Sequence, residues 1–260
     1  MAIVPVSNAG MLARGIKTCV QLPLGPNGIT VTEAYVNIPG NANFIPTTSW
    51  SLAIWWNGIC AASTASIIGN GIIFSYQHVA TNAGSIVFKN EGGAQIGNYR
   101  VNTTQSTPTT GNFNNTITNV IMKNGWYRTV LTWNGTTVQL YTQGQADGSV
   151  GLTGTMTYLA ADPIQLGLAT TGFSNTNSGF PGLIADAKWY PGIVLSALDA
   201  ALDFGCGRTT QEAGLKGWWK LNDGRGTTAR DYKGNSNGTL LNGARFYKLP
   251  QRNKRVASII

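Results

Sequence analysis

The segment that most constrains this chain runs from Trp126 to Tyr141: Trp-Tyr-Arg-Thr-Val-Leu-Thr-Trp-Asn-Gly-Thr-Thr-Val-Gln-Leu-Tyr. Aromatic and β-branched residues dominate both halves, and Asn134-Gly135 sits between them as a strong hairpin signal, supplying the positive φ that a two-residue turn needs. Strand alternation puts Tyr127, Thr129, Leu131 and Trp133 on one face and Trp126, Arg128, Val130 and Thr132 on the other. Bulky groups on both faces call for a sheet covered on both sides: an inner face in a core, and an outer face partly covered.

The rest of the chain repeats this pattern. Ser49–Trp56 alternates small or polar residues with large apolar ones. Ile67–Tyr76 is interrupted by Gly69-Asn70-Gly71, a second hairpin signal. Strands are expected at Ser85–Lys89 and Ala94–Val101, joined at Gly92-Gly93, and again at Ile164–Leu168 and Leu183–Tyr190. Thr103–Asn115, polar and containing Pro108, reads as a loop. One short helix is expected at Ser196–Phe204, with Ser196 as N-cap and Gly205 as terminator. A Trp/Tyr-rich section follows from Leu215 to Tyr247. Strands at intervals of about ten residues, separated by turns, predict an all-β jelly-roll β-sandwich over 47–247. Five of the ten prolines (Pro5, Pro23, Pro26, Pro39 and Pro46) fall in 1–46, which predicts an extended N-terminal arm lying across a neighbour or its own sandwich. Residues 248–260 form a basic C-terminal tail.

Only 11% of the residues are charged, against roughly 25% in ordinary domains, so the polarity comes from amides and hydroxyls. The net charge of +8 is uneven: Arg208–Ile260 holds 11 Lys/Arg against Glu212, Asp223 and Asp231. A basic end can meet an anionic glycan, an acidic protein surface or nucleic acid. Without a recognition helix, an RNP-like motif or zinc spacing, nucleic acid is the weakest of these. Cys19, Cys60 and Cys206 are too few and too scattered for a disulfide framework and read as buried thiols. The first thirty residues show no charged start followed by an apolar run, and no stretch has the length of a membrane helix. A soluble protein made in a cytoplasm, with no membrane partner, is the expectation.

Catalytic chemistry has few candidates. Glycan hydrolysis needs two carboxylates facing each other across a cleft. With ten acids in the chain, the closest pair is Asp199 and Asp203, on the expected helix and read as solvated. His78 is the only histidine, and no Gly-x-Ser-x-Gly elbow, Walker loop, dinucleotide fingerprint or His-Glu-x-x-His is present. The chain therefore reads as no enzyme. Trp55, Trp56, Trp218 and Trp219 are candidate glycan-stacking residues, with core packing as the competing role. Arg252, Lys254 and Arg255 are candidate partner contacts.

Three ordered pieces are similar to the laminin-G-like (concanavalin A-like) jelly-roll family. They are the Trp126–Tyr141 hairpin, Ile164–Gly167 with Phe180–Tyr190 followed by the short helix at Leu195–Asp199, and Gly217–Asp231 with Gly234–Gly238. The last piece resembles a module boundary found beside such domains. The resemblance spans roughly 48–247 and implies fold more than function, because the fold hosts lectins, adhesion modules, glycanases and virion parts. It also raises calcium, for which Asp147, Asp186 or Asp223 are the candidate ligands; no dense acidic loop supports a metal, and no cofactor is expected. The first functional expectation is a phage virion protein, a capsid decoration (cement) or other exterior component. It would assemble with other virion proteins, as a homo-oligomer or lattice, through its arm and tail. The alternative is a carbohydrate-binding receptor-recognition module, tail fibre or lectin-like, that meets a host surface glycan. Glycanase is the second alternative.

Overall fold

The computed structural model describes residues 4–23, 34–46, 48–58, 71–76, 85–91, 98–104, 111–116, 125–151, 158–168 and 179–250. In chain order the strands are β1 (Thr18–Leu22), β2 (Tyr35–Ile38), β3 (Trp50–Gly58), β4 (Gly71–Tyr76), β5 (Ser85–Glu91), β6 (Asn98–Thr104), β7 (Gly111–Thr116), β8 (Tyr127–Trp133), β9 (Thr137–Thr142), β10 (Gln145–Gly151), β11 (Ile164–Leu166), β12 (Gly182–Pro191), β13 (Gly217–Trp219), β14 (Thr228–Ala229), β15 (Gly238–Leu241) and β16 (Arg245–Lys248). Two α-helices, α1 (Asn8–Ala13) and α2 (Ala197–Cys206), complete the described elements together with two short 3-10 turns. Among the described residues no helix is long and apolar enough to cross a membrane.

The strands form two antiparallel sheets. The front sheet runs β10-β9-β8-β3-β12-β1-β16, with β13 also paired to β12. The back sheet runs β14-β15-β2-β11-β4-β5-β6-β7. The expected all-β jelly-roll sandwich is the observed architecture. Register in the front sheet follows alternation: Trp50, Leu52, Ile54 and Trp56 of β3 sit opposite Trp133, Leu131, Thr129 and Tyr127 of β8. These side chains point between the sheets, where Trp50, Trp56, Trp133, Trp189 and Trp219 are fully buried with Val36, Ile38, Phe74, Ile164 and Leu166 from the back sheet. Stacks such as Trp56–Tyr127, with centroids 5.0 Å apart, and Trp50–Trp189 at 5.8 Å tie the layer together.

Several expectations need correction. Residues 18–22 and 35–38 are no arm: β1 lies between β12 and β16, and β2 between β15 and β11. Pro23 and Pro39 follow these strands directly and leave their ladders intact, which is how a proline-rich segment contributes to both sheets. The Gly217–Gly238 section is no module boundary either, since β13 to β16 belong to the sandwich and reach Lys248, the first residue assigned to the tail. Part of the expected polar loop is β7, paired along its length with β6. At the hairpin only Gly135 takes a positive φ (93°). Asn134 instead accepts bonds from the Thr136 and Thr137 amides at 3.0 and 2.8 Å, which fixes the turn from its leading residue. The helix runs two residues past Phe204 and ends at Gly207, whose φ of 65° makes it the left-handed cap in place of Gly205.

Candidate functional site

The outer face of the front sheet carries Ser51, Ala53 and Trp55 from β3 opposite Thr132, Val130 and Arg128 from β8. Two helices cover it. The segment leading to α1 is pinned by a two-way backbone bridge between Val6 and Trp126 (2.8 and 2.7 Å) and by the Trp126 indole donating to Asn8 Oδ1 at 2.8 Å. Met11, Trp55, Trp126, Cys19 and Ala185 then close a small apolar cluster under α1. The second helix starts with a capping box in which Ser196 and Asp199 satisfy each other's backbone amides, and it sits on Ala53, Val130 and Tyr190 through Leu195 and Ala200.

Between the two helices lies a buried ionic cluster. Strand β12 is bulged: Ala185 pairs with Trp55 and Lys188 with Ala53, so Asp186 and Ala187 together oppose Ile54. Ala187 stays in the inner core while Asp186 joins Ala185 on the outer face. Asp186 pays for this with a φ of 44°, and its amide donates to Lys220 O at 3.2 Å in place of a ladder partner. Arg128 is 1% exposed and Lys188 fully buried. Arg128 forms a two-pronged pair with Asp203 through Nε and Nη2, the second bond 2.9 Å long, and reaches Asp186 Oδ2 at 3.1 Å. Lys188 Nζ donates to Asp203 Oδ1 at 2.6 Å. Burial alone would raise the Asp203 pKa, but Arg128 and then Lys188 outweigh it and hold the carboxyl below its ordinary value. Burial would likewise lower the Arg128 pKa, and Asp203 followed by Asp186 raises it instead. Both shifts favour the charged forms, the Asp203 carboxylate and the Arg128 guanidinium.

A groove of about 510 Å³ opens above this cluster. Its walls are the turn after α1 (Arg14, Gly15, Ile16), the end of α2 (Phe204 to Gly207) and Trp218, Lys220 and Asn222, with Trp55, Asp186 and Asp203 at its floor. Trp218 is half-buried, and its indole donates to Asp186 Oδ1 at 2.6 Å, which fixes the ring in the wall. Lys220 Nζ lies 4.3 Å from the Trp218 ring centre and 4.1 Å from that of Tyr232. The Arg14 guanidinium lies 4.6 Å from the Phe204 ring centre and donates through Nη1 to the Phe204 and Gly205 carbonyls at the end of α2.

Of the expected stacking residues only Trp218 meets open space. Trp56 and Trp219 are fully buried in the inner core, and Trp55 is 3% exposed beneath Arg14 and Phe204, so none of these three offers a face to a ligand. Asp203, read as solvated, is a buried member of the ionic cluster; its helix partner Asp199 is the capping residue. Asp147, Asp186 and Asp223 do not converge, and Asp186 already faces Arg128 and Lys188, whose charges occupy the place a cation would take. Burial pushes the Cys19 thiol up to about 12, whereas Cys206 is exposed at the groove wall. His78, Cys60, Arg252, Lys254 and Arg255 lie outside the described residues. Arg14, Arg128, Lys188 and Lys220 were not singled out from the sequence. The available signal was alternation: Arg128 and Lys188 each occupy an outward position in a strand otherwise rich in large apolar residues.

Similarity to known structures agrees with this architecture. A heptameric SAP-like pentraxin from Limulus polyphemus superposes with a TM-score of 0.62 at 11% identity, covering 90% of this chain and 95% of that one. A Bacteroides ovatus protein provisionally assigned to carbohydrate binding gives 0.61 at 16% identity, covering 91% of this chain; the chain spans 61% of that protein's length. At these identities the likeness shows the fold alone. The sequence matches no curated protein. The sequence profile of the concanavalin A-like lectin/glucanases superfamily (Laminin_G_3) matches residues 30–201, and with the two-sheet sandwich this places the chain in that superfamily.

Proposed function

We propose that this chain is a non-catalytic carbohydrate-binding module whose ligand seats in the groove between α1 and α2. The observation that carries this reading is Trp218, an indole locked by Asp186 into the wall of a groove that also presents the amide of Asn222, the charges of Arg14 and Lys220 and the apolar side chains of Ile16 and Phe204. A fixed aromatic beside convergent polar groups is the usual composition of a sugar site. Binding without hydrolysis is supported by the state of Asp203. A glycanase needs one carboxyl to hold a proton near neutral pH, and Asp203 is shifted the opposite way by Arg128 and Lys188. The test is a glycan array followed by calorimetry on the hit. Trp218→Ala is expected to weaken binding at least about tenfold, and no reducing sugar is expected to be released. A hit whose affinity is unchanged by Trp218→Ala removes the groove from the reading.

The reading as an exterior virion component rests on the basic end of the chain, where 11 Lys/Arg face three acids from Arg208 onward. It loses the arm as its docking device, because residues 5–22 pack on their own sandwich. Co-sedimentation with purified capsids tests it: retention that falls when Arg252, Lys254 and Arg255 are changed to Gln supports assembly through the tail, and no retention removes it.

A further inference from the structure

We infer that the groove selects saccharides bearing a carboxylate, hexuronic acids, over their neutral counterparts; this rests on the glycan-binding reading above. The argument is one of charge that the site leaves over. Four cations stand in or directly beneath the groove, Arg14, Lys220, Arg128 and Lys188, against two carboxylates, Asp186 and Asp203. Both carboxylates are engaged by Arg128 and Lys188, the buried pair. The two remaining positive charges reside on Arg14 and Lys220, and neither meets a carboxylate among the described residues.

Those two cations are also held in place. The Arg14 guanidinium rests against Phe204, 4.6 Å from its ring centre, and spends Nη1 on the two carbonyls that end α2. A guanidinium has five N–H groups in a rigid fork, so Nε and Nη2 retain donors for a planar carboxylate. Lys220 Nζ rests against the rings of both Trp218 and Tyr232, at 4.3 and 4.1 Å from their centres. Positions fixed before the ligand arrives reduce the entropy lost on binding. The same wall carries Asn222 and the backbone of Gly205 and Gly207, groups suited to sugar hydroxyls. A polyanion such as nucleic acid is read by a long basic track that neutralises many phosphates. Here the excess is two charges inside a groove of about 510 Å³, the size of a small-ligand site.

The experiment uses the full chain on an array of oligouronides built from galacturonate, glucuronate, mannuronate and guluronate. Each is printed beside its carboxyl-reduced neutral counterpart and beside a wider set of neutral glycans, with single-stranded DNA and dextran sulfate as competitors. At least one uronide is expected to bind about tenfold or more above its reduced partner, with affinity falling as salt rises. Lys220→Gln, and separately Arg14→Gln, are expected to remove most of that preference while the melting temperature reports an intact fold; the Lys220 variant decides if the Arg14 variant unfolds. Equal binding of a uronide and its reduced partner overturns the inference and leaves glycan binding standing. Binding confined to the neutral glycans does the same. Competition by DNA or dextran sulfate as strong as by the free uronide also overturns it, because charge alone would then suffice. An array with no signal at all brings down both this inference and the glycan-binding reading.

Discussion

Strands β3 and β8 present two faces built on different physics. Inward they show Trp50, Leu52, Ile54 and Trp56 against Tyr127, Thr129, Leu131 and Trp133, an aromatic and aliphatic layer whose stability scales with buried area and close packing. Outward the same strands hold Arg128 and Trp55, joined by Lys188 from β12, and bury charges beneath two helices. The inner layer holds the sheets together without regard to direction. The outer layer is directional: Asp203 is the residue of α2 that fits between Arg128 and Lys188, and this sets where the helix end, and hence the groove wall, comes to rest. The division of labour is that area closes the sandwich and paired charges position the site.

The comparison breaks most visibly at its two extremes. Trp56→Ala removes a stack on Tyr127 and an indole bond to Thr129 Oγ1 at 2.9 Å, and it leaves a cavity. A loss of about 3–5 kcal/mol in urea unfolding is expected. Asp203→Ala is expected to cost a similar amount, about 3–5 kcal/mol, because two buried cations lose their partner. The two differ in how they are rescued. Replacing Arg128, Lys188 and Asp203 together by Met, Met and Leu is expected to restore most of the stability, whereas no neighbouring change refills the Trp56 site as readily. If the triple variant is as unstable as Asp203→Ala, the outer layer is not held by charge pairing.

Acid sharpens the same contrast. The Asp203 pKa is lowered in the folded protein, so its contribution is present above the unfolded value of about 3.9 and is lost as pH falls toward the lower folded value. The gap in stability between the wild type and Asp203→Asn should therefore be constant near neutral pH and shrink below about pH 4. The gap for Trp56→Ala should not follow that window. Parallel urea titrations at several pH values read both.

Much of the inner layer was legible in the sequence because alternation of large side chains is itself the signal, and Trp126–Trp133 carries it without interruption. The outer layer was not. A bulge adds one residue with no mark in composition: alternation counted back from Trp189 puts Lys188 and Asp186 outward, but counted forward from Ile184 it puts Asp186, Ala187 and Lys188 each on the opposite face. Strands β7 and β10 are polar and Gly-containing, so they resemble loops until a partner strand is known. A proline constrains its own position and not a whole segment: Pro23 and Pro39 only end the ladders of residues 18–22 and 35–38, so a high proline count does not mark an arm. In sequence Asp203, a helix acid four residues after another, looks like surface; only the meeting of α2 with β8 and β12 shows that its side faces two buried cations.

A smaller effect separates positioning of α2 from its formation. Ser196→Ala removes one half of the capping box, and a loss of about 1 kcal/mol is expected. Since Asp203 lies at the other end of the helix, the groove wall should stay in place, and ligand affinity should change much less than in a folded Asp203 variant. An affinity loss from Ser196→Ala as large as that from Trp218→Ala would mean that the whole helix, and not its paired end, shapes the groove.

The smallest expected effect compares two lysine–carboxylate contacts of similar length. Lys188 meets Asp203 at 2.6 Å with side chains 0% and 5% exposed, and Lys233 meets Glu212 at 2.9 Å with side chains 26% and 61% exposed. Distance alone would rank them nearly equal. Water around the second pair screens the attraction and solvates either partner if the other is removed, so Lys233→Ala is expected to cost about 0–1 kcal/mol, and the difference should vanish in high salt. Buried Lys188 has no such recourse, so the cost of losing Asp203 should persist at the same salt concentration. Urea unfolding of the two variants at low and high ionic strength measures both. Equal salt sensitivity would mean that the cluster under α2 is wetter than its burial implies, and that the groove above it is set by something other than those charges.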